Sequence, residues 1–400
     1  MDVLEKGMIC LMKSAITGEE LSLPEGFNIE VAVDCIKKHS LIPLIYVGAL
    51  NCKIDKNIPV MQFMFKEYCW QLLYNEKQMT EVNRIYEAFD KNGIDYMPVK
   101  GCNIKNLYPN QEMRPMSDAD ILIKKDQYAD AERVMQEIGF KFEREGDHDL
   151  SWNSDNLHVE LHHMLILNYN NAYEQYFGSG WNLAYKSCNH RWFMRPEDEF
   201  VYLFIHFTKH YRIGGVGCRH VLDLWVYLKS HPKLDMDYIS SVMRNLSVSE
   251  FYNNIISLID YWFINKDGVT GTDTLHNDKI EFISDFIMAS GNWGTYENKI
   301  KAMGVMNAQI SGSVKKGRVQ AIRKAFFPDL ADLRMRYGIL KKIPVLLPVM
   351  WVYRWFDAAI HRRHNVKSLT NEVKGICTKD FSDFEESLRY VGLDFVFKQE

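Results

Sequence analysis

Two aspartates one residue apart stand in the run Arg114-Pro115-Met116-Ser117-Asp118-Ala119-Asp120-Ile121-Leu122-Ile123. On a strand, side chains i and i+2 share a face, so Asp118 and Asp120 project together while Ala119, Ile121 and Ile123 project the other way. Two carboxylates aimed in one direction repel each other and call for a cation, and oxygen-rich sites of this kind suit Mg²⁺. The plainer reading is that both aspartates cap a turn before the strand, and a bare D-x-D does not separate the two.

Three further groupings carry chemistry. Val99-Lys100-Gly101-Cys102 ends one strand and opens a short helix. Gly allows close backbone approach to a phosphate, a helix start offers free N–H groups, and Lys100 adds positive charge. The same dipeptide is also an ordinary turn. Leu157-His158-Val159-Glu160-Leu161-His162 alternates strictly, which places His158, Glu160 and His162 on one face and three aliphatic residues on the other. A solvated outer face would give the same pattern. His206 and His210 are spaced i, i+4 and are followed by Arg219 and Asp223. That spacing can present two imidazoles to zinc, but no third ligand has recognisable spacing. The alternatives are a structural network, with Asp223 bonding Arg219, or a role lining a cleft.

The elements that must position these residues fall into three stretches. Residues 1–93 read as helical, with Pro59 opening a long amphipathic pattern that ends near Gly93. Residues 94–165 read as strand, short helix, strand, helix and three strands, an α+β or α/β sheet. Residues 166–400 read as mostly helices, with Asp198–Tyr211, Val221–Lys229, Met236–Arg244 and Glu250–Ile264 at helical spacing and a loop-like stretch at 266–278. The expected domains are therefore 1–93, 94–165 and 166–400.

In combination the groupings are much more specific. Ile94 to Gly101, Leu107-Tyr108-Pro109, Arg114-Pro115-Met116 with Asp118 and Asp120, Gly139-Phe140, and Val159-Glu160-Leu161-His162 resemble the uncharacterised bacterial nucleotidyltransferase family of the DNA polymerase beta superfamily. The Lys-Gly opening is also similar to abortive-infection toxin nucleotidyltransferases. The close resemblance covers about residues 85–165. It departs from the wider superfamily in having Gly101-Cys102 where Gly-Ser is usual, a longer gap from Gly101 to Asp118, and Glu160 as the third carboxylate.

The resemblance implies a small mixed β-sheet core flanked by helical regions. It implies Asp118, Asp120 and Glu160 as catalytic metal ligands for two Mg²⁺ ions, with Mn²⁺ as a substitute. Lys100, Gly101, Cys102, Arg114 and Ser117 are then expected to contact the nucleotide, ATP or another NTP, and His162, His206, His210, Arg219 and Asp223 to line the cleft. The acceptor would be a small molecule, a peptide or tRNA. The competing class is an inactive nucleotide-binding protein, or an interaction protein bound to RNA or membrane.

Composition bounds these readings. The chain has 400 residues, 47% hydrophobic and 25% charged, which excludes a disordered chain or a coiled-coil rod. The formal net charge is −4, yet residues 311–367 hold thirteen Lys/Arg against three Asp/Glu, a local +10. This segment, with aromatic residues interleaved, fits RNA, anionic lipid with Val345–Trp355 as an interfacial helix, or a plain solvated face. Eight scattered cysteines without a C-x-x-C pair fit reduced thiols. The N-terminus is too acidic for a signal peptide and the longest apolar run is far short of a span, so the sequence reads as a soluble cytoplasmic protein.

Overall fold

The computed structural model describes residues 1–146, 149–166, 171–264, 274–292, 294–311, 314–330, 333, 337, 339–361 and 378–393. Residues 266–273 of the expected loop and 362–367 of the basic segment lie outside these residues. Contacts divide the chain into two units, Met1–Phe207 with Gly217–Asn292, and Thr208–Val216 with Trp293–Glu400.

The first unit opens with α1 (Val3–Thr17), α2 (Ile29–Lys38), α3 (Ile42–Asn51) and α4 (Pro59–Lys91). Their ends follow local chemistry. Asp2 and Glu5 close a reciprocal capping box on α1. Pro59 stands at the start of α4, where its missing N–H costs nothing. The sheet region follows with β1 (Tyr96–Val99), α5 (Gly101–Ile104), β2 (Asp118–Ile123), α6 (Tyr128–Glu137), β3 (Lys141–Glu145), β4 (Asp149–Asn153) and β5 (His158–His162). After α7 (Asn171–Phe177) come β6 (Ala184–Cys188) and β7 (Arg191–Met194), then α8 (Pro196–Gly214), within which the unit boundary falls. The unit continues with α9 (Cys218–Ser230), α10 (Met236–Asn245), α11 (Ser249–Phe263) and α12 (Thr274–Ser290).

The fold is α+β, a mixed sheet with helical flanks. The sheet has seven strands in the order β3-β4-β5-β2-β1-β7-β6. The β2–β5 and β1–β7 pairs are parallel and the others antiparallel. One face is the core: Ala119, Ile121, Ile123, Val159, Leu161 and Trp152 pack against Val82, Ile85 and Phe89 of α4 and Ala131, Val134 and Met135 of α6. Side chains alternate in direction along a strand, so the residues between these project onto the opposite face.

The β6–β7 hairpin adds two strands to the stretch after residue 165, which the sequence reads as mostly helical. β6 is polar and exposed through Tyr185–Cys188 and lacks an apolar alternation. β7 joins the sheet through the Tyr96–Arg191 pairing, a long-range contact with no local signature.

In the second unit α13 (Tyr296–Ser311), α14 (Val314–Phe326), α15 (Leu347–His361) and α16 (Thr378–Tyr390) follow. Two glycines set close packing here, Gly317 of α14 against α13 and Gly304 of α13 against α16. A Cβ on Gly317 would lie 2.5 Å from the Gly304 carbonyl oxygen, and one on Gly304 would collide with the Phe381 ring. No helix among the described residues is long and apolar enough to cross a membrane. The seven described cysteines are free thiols.

His39 ties the helices of the first unit together. It is fully buried, its Nδ1 accepts the Cys218 backbone N–H (3.2 Å) and its Nε2 donates to the Met288 carbonyl (3.0 Å). Acceptance at Nδ1 requires the neutral ring, and burial pushes the imidazole down from 6.5 to about 4. The folded value lies below the unfolded one, so this stabilisation is complete above about pH 6.5 and is lost as pH falls toward about 4, by up to roughly 3 kcal/mol. Urea unfolding followed from neutral pH downward should show that slope in the natural protein and a flatter one in His39→Gln.

Candidate active site

The polar face of the sheet is assembled by strand register. β2 and β5 run parallel with Asp118 opposite His158, Asp120 opposite Glu160 and Leu122 opposite His162. Residues paired this way project to the same side, so Asp118, Asp120, His158, Glu160 and His162 share one face. β4 adds Asp149 and Ser151 to it, since Ser151 pairs with Glu160 and Asp149 with His162.

Ligand atoms of Asp120, Glu160 and His162 lie within 4.8 Å of one another. Asp120 is almost fully buried, and its Oδ1 accepts both from Lys100 Nζ (2.7 Å) and from His162 Nε2 (2.8 Å). Glu160 lies 3.6 Å from His162 Nε2, 3.7 Å from His158 Nε2 and 3.3 Å from Arg144 Nη2. Asp118 accepts from Ser117 Oγ at 2.6 Å.

The charges are unevenly balanced. Burial works to raise the Asp120 carboxyl, but Lys100 and His162 outweigh it and hold it well below the usual carboxylate range. The nearby His158 ring keeps Glu160 below its ordinary value in spite of burial, and the same contact raises His158. Asp118 goes the other way: burial raises it first, and the Asp120 and Glu160 charges raise it further. The charged form of Asp118 is therefore the one this environment disfavours. Burial disfavours the Lys100 ammonium, yet Asp120 and its neighbours more than compensate, so it stays charged.

Lys100 sits at a strained turn. Its φ of 50° and ψ of −121° are unusual for a residue with a side chain, a conformation that costs on the order of 1–3 kcal/mol. Its carbonyl accepts from Asn103 N (3.1 Å) and Ile104 N (2.9 Å), and its ammonium is anchored on Asp120, which together hold the turn.

The loop from Gly101 to Ser117 is fixed from two sides. Arg114 forms a fork with Asp223 of α9, Nε to Oδ1 at 3.2 Å and Nη2 to Oδ2 at 2.9 Å, and Tyr108 donates to the same carboxylate at 2.6 Å. Arg219, one turn earlier on α9, donates to the Pro115 carbonyl at 3.2 Å. Burial and the nearby Arg114 push the Arg219 guanidinium down to about 10. A Cβ on Gly101 would lie 2.9 Å from an Arg114 nitrogen and 3.1 Å from Met116 Cγ, so this close passage requires glycine. From α4, Gln78 donates to the Met116 carbonyl at 3.0 Å, Tyr68 donates to Glu112 at 2.7 Å, and Asn75 accepts from the buried Lys105.

The structure thus brings Lys100, Asp118, Asp120, Glu160 and His162 together. Ser117 is exposed beside Asp118. The Cys102 thiol belongs to the core cluster with Met116, and burial pushes it up to about 12. Arg114 and Asp223 pair with each other rather than with Asp118 or Arg219 respectively. His206 is half-buried with its ring 6.5 Å from that of Tyr202, whose phenol lies by Lys100. His210 falls in the second unit. Sequence reasoning missed Arg144. A register shift between Phe142 and Arg144 sets Arg144 opposite Ser151, and so on the same side as Glu160; a bulge of this kind has no sequence signature here.

A family model described as an uncharacterised nucleotidyltransferase matches residues 25–264, which span the whole of this site. The chain belongs to that family, and with it come a general role in nucleotidyl transfer and a nucleotide substrate. No curated protein and no solved structure matches the chain significantly.

Asp223 holds the buried Arg114 guanidinium and the Tyr108 hydroxyl. Asp223→Asn keeps its shape and removes its charge, and breaking a buried pair in this way costs about 3–5 kcal/mol. Chemical denaturation should show that loss, whereas Ser117→Ala at the exposed end of the loop should change stability by less than about 0.5 kcal/mol.

Proposed function

We propose that the protein transfers a nucleoside monophosphate from an NTP to a hydroxyl or phosphate acceptor, using Asp118, Asp120 and Glu160 to hold Mg²⁺ or Mn²⁺. The observation that carries this is the convergence of Asp120, Glu160 and His162 within 4.8 Å, with Asp118 on the same face. The donor set fits a divalent cation. It is mostly hard carboxylate oxygen with one imidazole nitrogen, and the upward push on Asp118 from Asp120 and Glu160 marks negative charge that a cation would relieve. Held by these residues, such ions would lower the pKa of the acceptor hydroxyl and neutralise charge growing on the leaving pyrophosphate.

The chain's own groups have separable roles. Asp120 and Glu160 are ionised at neutral pH because Lys100, His158 and His162 favour their charged forms. Glu160 orients the acceptor hydroxyl from its position between the two imidazoles. Lys100 neutralises Asp120 in the absence of other cations, and its ammonium turns toward the β- and γ-phosphates once that charge is met. The Gly101–Cys102 backbone borders the same phosphates. Arg114, Arg219 and Asp223 act through the loop by holding Met116–Asp118 in place.

Two variants test the reading. Asp120→Asn and Asp118→Ala should each lower Mg²⁺-dependent transfer by roughly 10³-fold or more while leaving the circular dichroism spectrum unchanged. The assay supplies each α-labelled NTP with Mg²⁺ and a cell extract and follows the size class that takes up label. Label in RNA points to a tRNA acceptor, and label in metabolites to a small-molecule acceptor. Turnover by either variant at the natural rate removes the proposal.

A further inference from the structure

The helix α15 of the second unit carries apolar residues on two opposite sides. One side packs on the end of α14. Trp351 Nε1 donates to the Pro328 carbonyl at 2.9 Å, Arg354 Nη1 donates to the Phe326 carbonyl at 3.3 Å, and the Phe326 and Trp355 rings stack at 5.5 Å. The other side is turned to solvent. Val349, Val352, Tyr353 and Phe356 follow the i, i+3, i+4, i+7 spacing of a single helical stripe, away from Trp351 and Trp355. Phe356 is 65% exposed, Val349 59%, and Val352 and Tyr353 55% each. Val345, in the turn that leads into the helix, is 85% exposed. A contiguous outward stripe of large apolar side chains marks an interaction surface, whereas single exposed residues do not.

Charge selects the occupant. Lys341 and Lys342 precede the stripe in the chain, and Arg362, Arg363 and Lys367 follow it, while Asp357 is the one acidic residue from 341 to 367. On α14, Lys315, Lys316 and Arg323 are exposed. Apolar and aromatic residues on an outward face, bracketed by cations, match a helix that lies in the headgroup region of a bilayer. Tyr and Trp favour that boundary as well. Nucleic acid would answer the cations but not the outward valines, which offer no ring for a base to stack on. We propose that α15 docks the protein on an anionic membrane surface, with the Val345–Phe356 stripe inserted and the net positive charge of the surrounding sequence drawing it to the lipid phosphates. This is independent of the nucleotidyl-transfer reading, since it involves none of the residues of the sheet.

The test is sedimentation of the full chain with phosphatidylcholine vesicles, alone or with about 30% phosphatidylserine, at low and high salt. The expected result is capture by the anionic vesicles at about 0.1 M salt, falling about tenfold at about 0.5 M, with little capture by the neutral ones. The doubly substituted chain Val349→Asp with Phe356→Asp, altered at two solvent-facing positions, should fold normally by circular dichroism and bind at least about tenfold more weakly. Equal capture of the substituted and natural chains overturns the proposal, as does failure of the natural chain to bind anionic vesicles. So does a change from dimer to monomer on substitution, or retention on RNA that the substitution abolishes, if vesicle capture is absent. Transfer assays on the substituted chain in solution should be unaffected.

Discussion

Asp120 and Glu160 face the same way because β2 and β5 pair in parallel and in register, and nearly everything else about the sheet's polar face follows from that pairing. At an effective dielectric of about 20, two unit charges at the separation seen among these ligand atoms repel by roughly 3 kcal/mol. The chain offsets this with Lys100 on Asp120, His162 between Asp120 and Glu160, and His158 and Arg144 around Glu160. Asp118 is offset less: burial and the Asp120 and Glu160 charges raise its carboxyl in spite of Ser117 and Lys100. The result is a set of acids preorganised for a divalent cation and partly neutralised without one.

That arrangement has to be held against its own repulsion. The opposite face of the same strands supplies much of the restraint, because Ala119, Ile121, Val159 and Leu161 are locked into the core under α4 and α6. A slip of one residue in either strand would bury the acids and expose the aliphatics, so the hydrophobic core sets the register that the polar face uses. The loop before β2 is held independently by α9 through the Arg114–Asp223 fork and the Arg219–Pro115 contact. The residues 25–264 that match the nucleotidyltransferase family contain both supports.

The second unit lies largely beyond that match and has a different character. Its helices α13 and α14 pack closely at glycines, and its α15 leaves a stripe of apolar side chains in water. A fold that packs one aromatic face of a helix on its neighbours and leaves the opposite apolar one in water keeps that surface available at a cost in solvation, which is the physical ground for assigning it a lipid partner.

The amino-acid sequence was enough to place the α+β class, the strands carrying Asp118, Asp120 and Glu160, and the long helix between Pro59 and Gly93. Each of these rests on local periodicity or on a cap, and such signals survive without a partner. The family match to residues 25–264 agrees with the resemblance carried by those motifs. What the sequence could not decide were the long-range pairings. The β6–β7 hairpin joins at the Tyr96–Arg191 contact, Arg144 reaches Glu160 through a bulge, and Arg114 finds Asp223 more than a hundred residues away. Lys100 was legible as a cation near a phosphate turn, but its contact with Asp120 was not. These partners meet only when distant segments pack, and no spacing along the chain encodes which carboxylate a guanidinium or ammonium will reach.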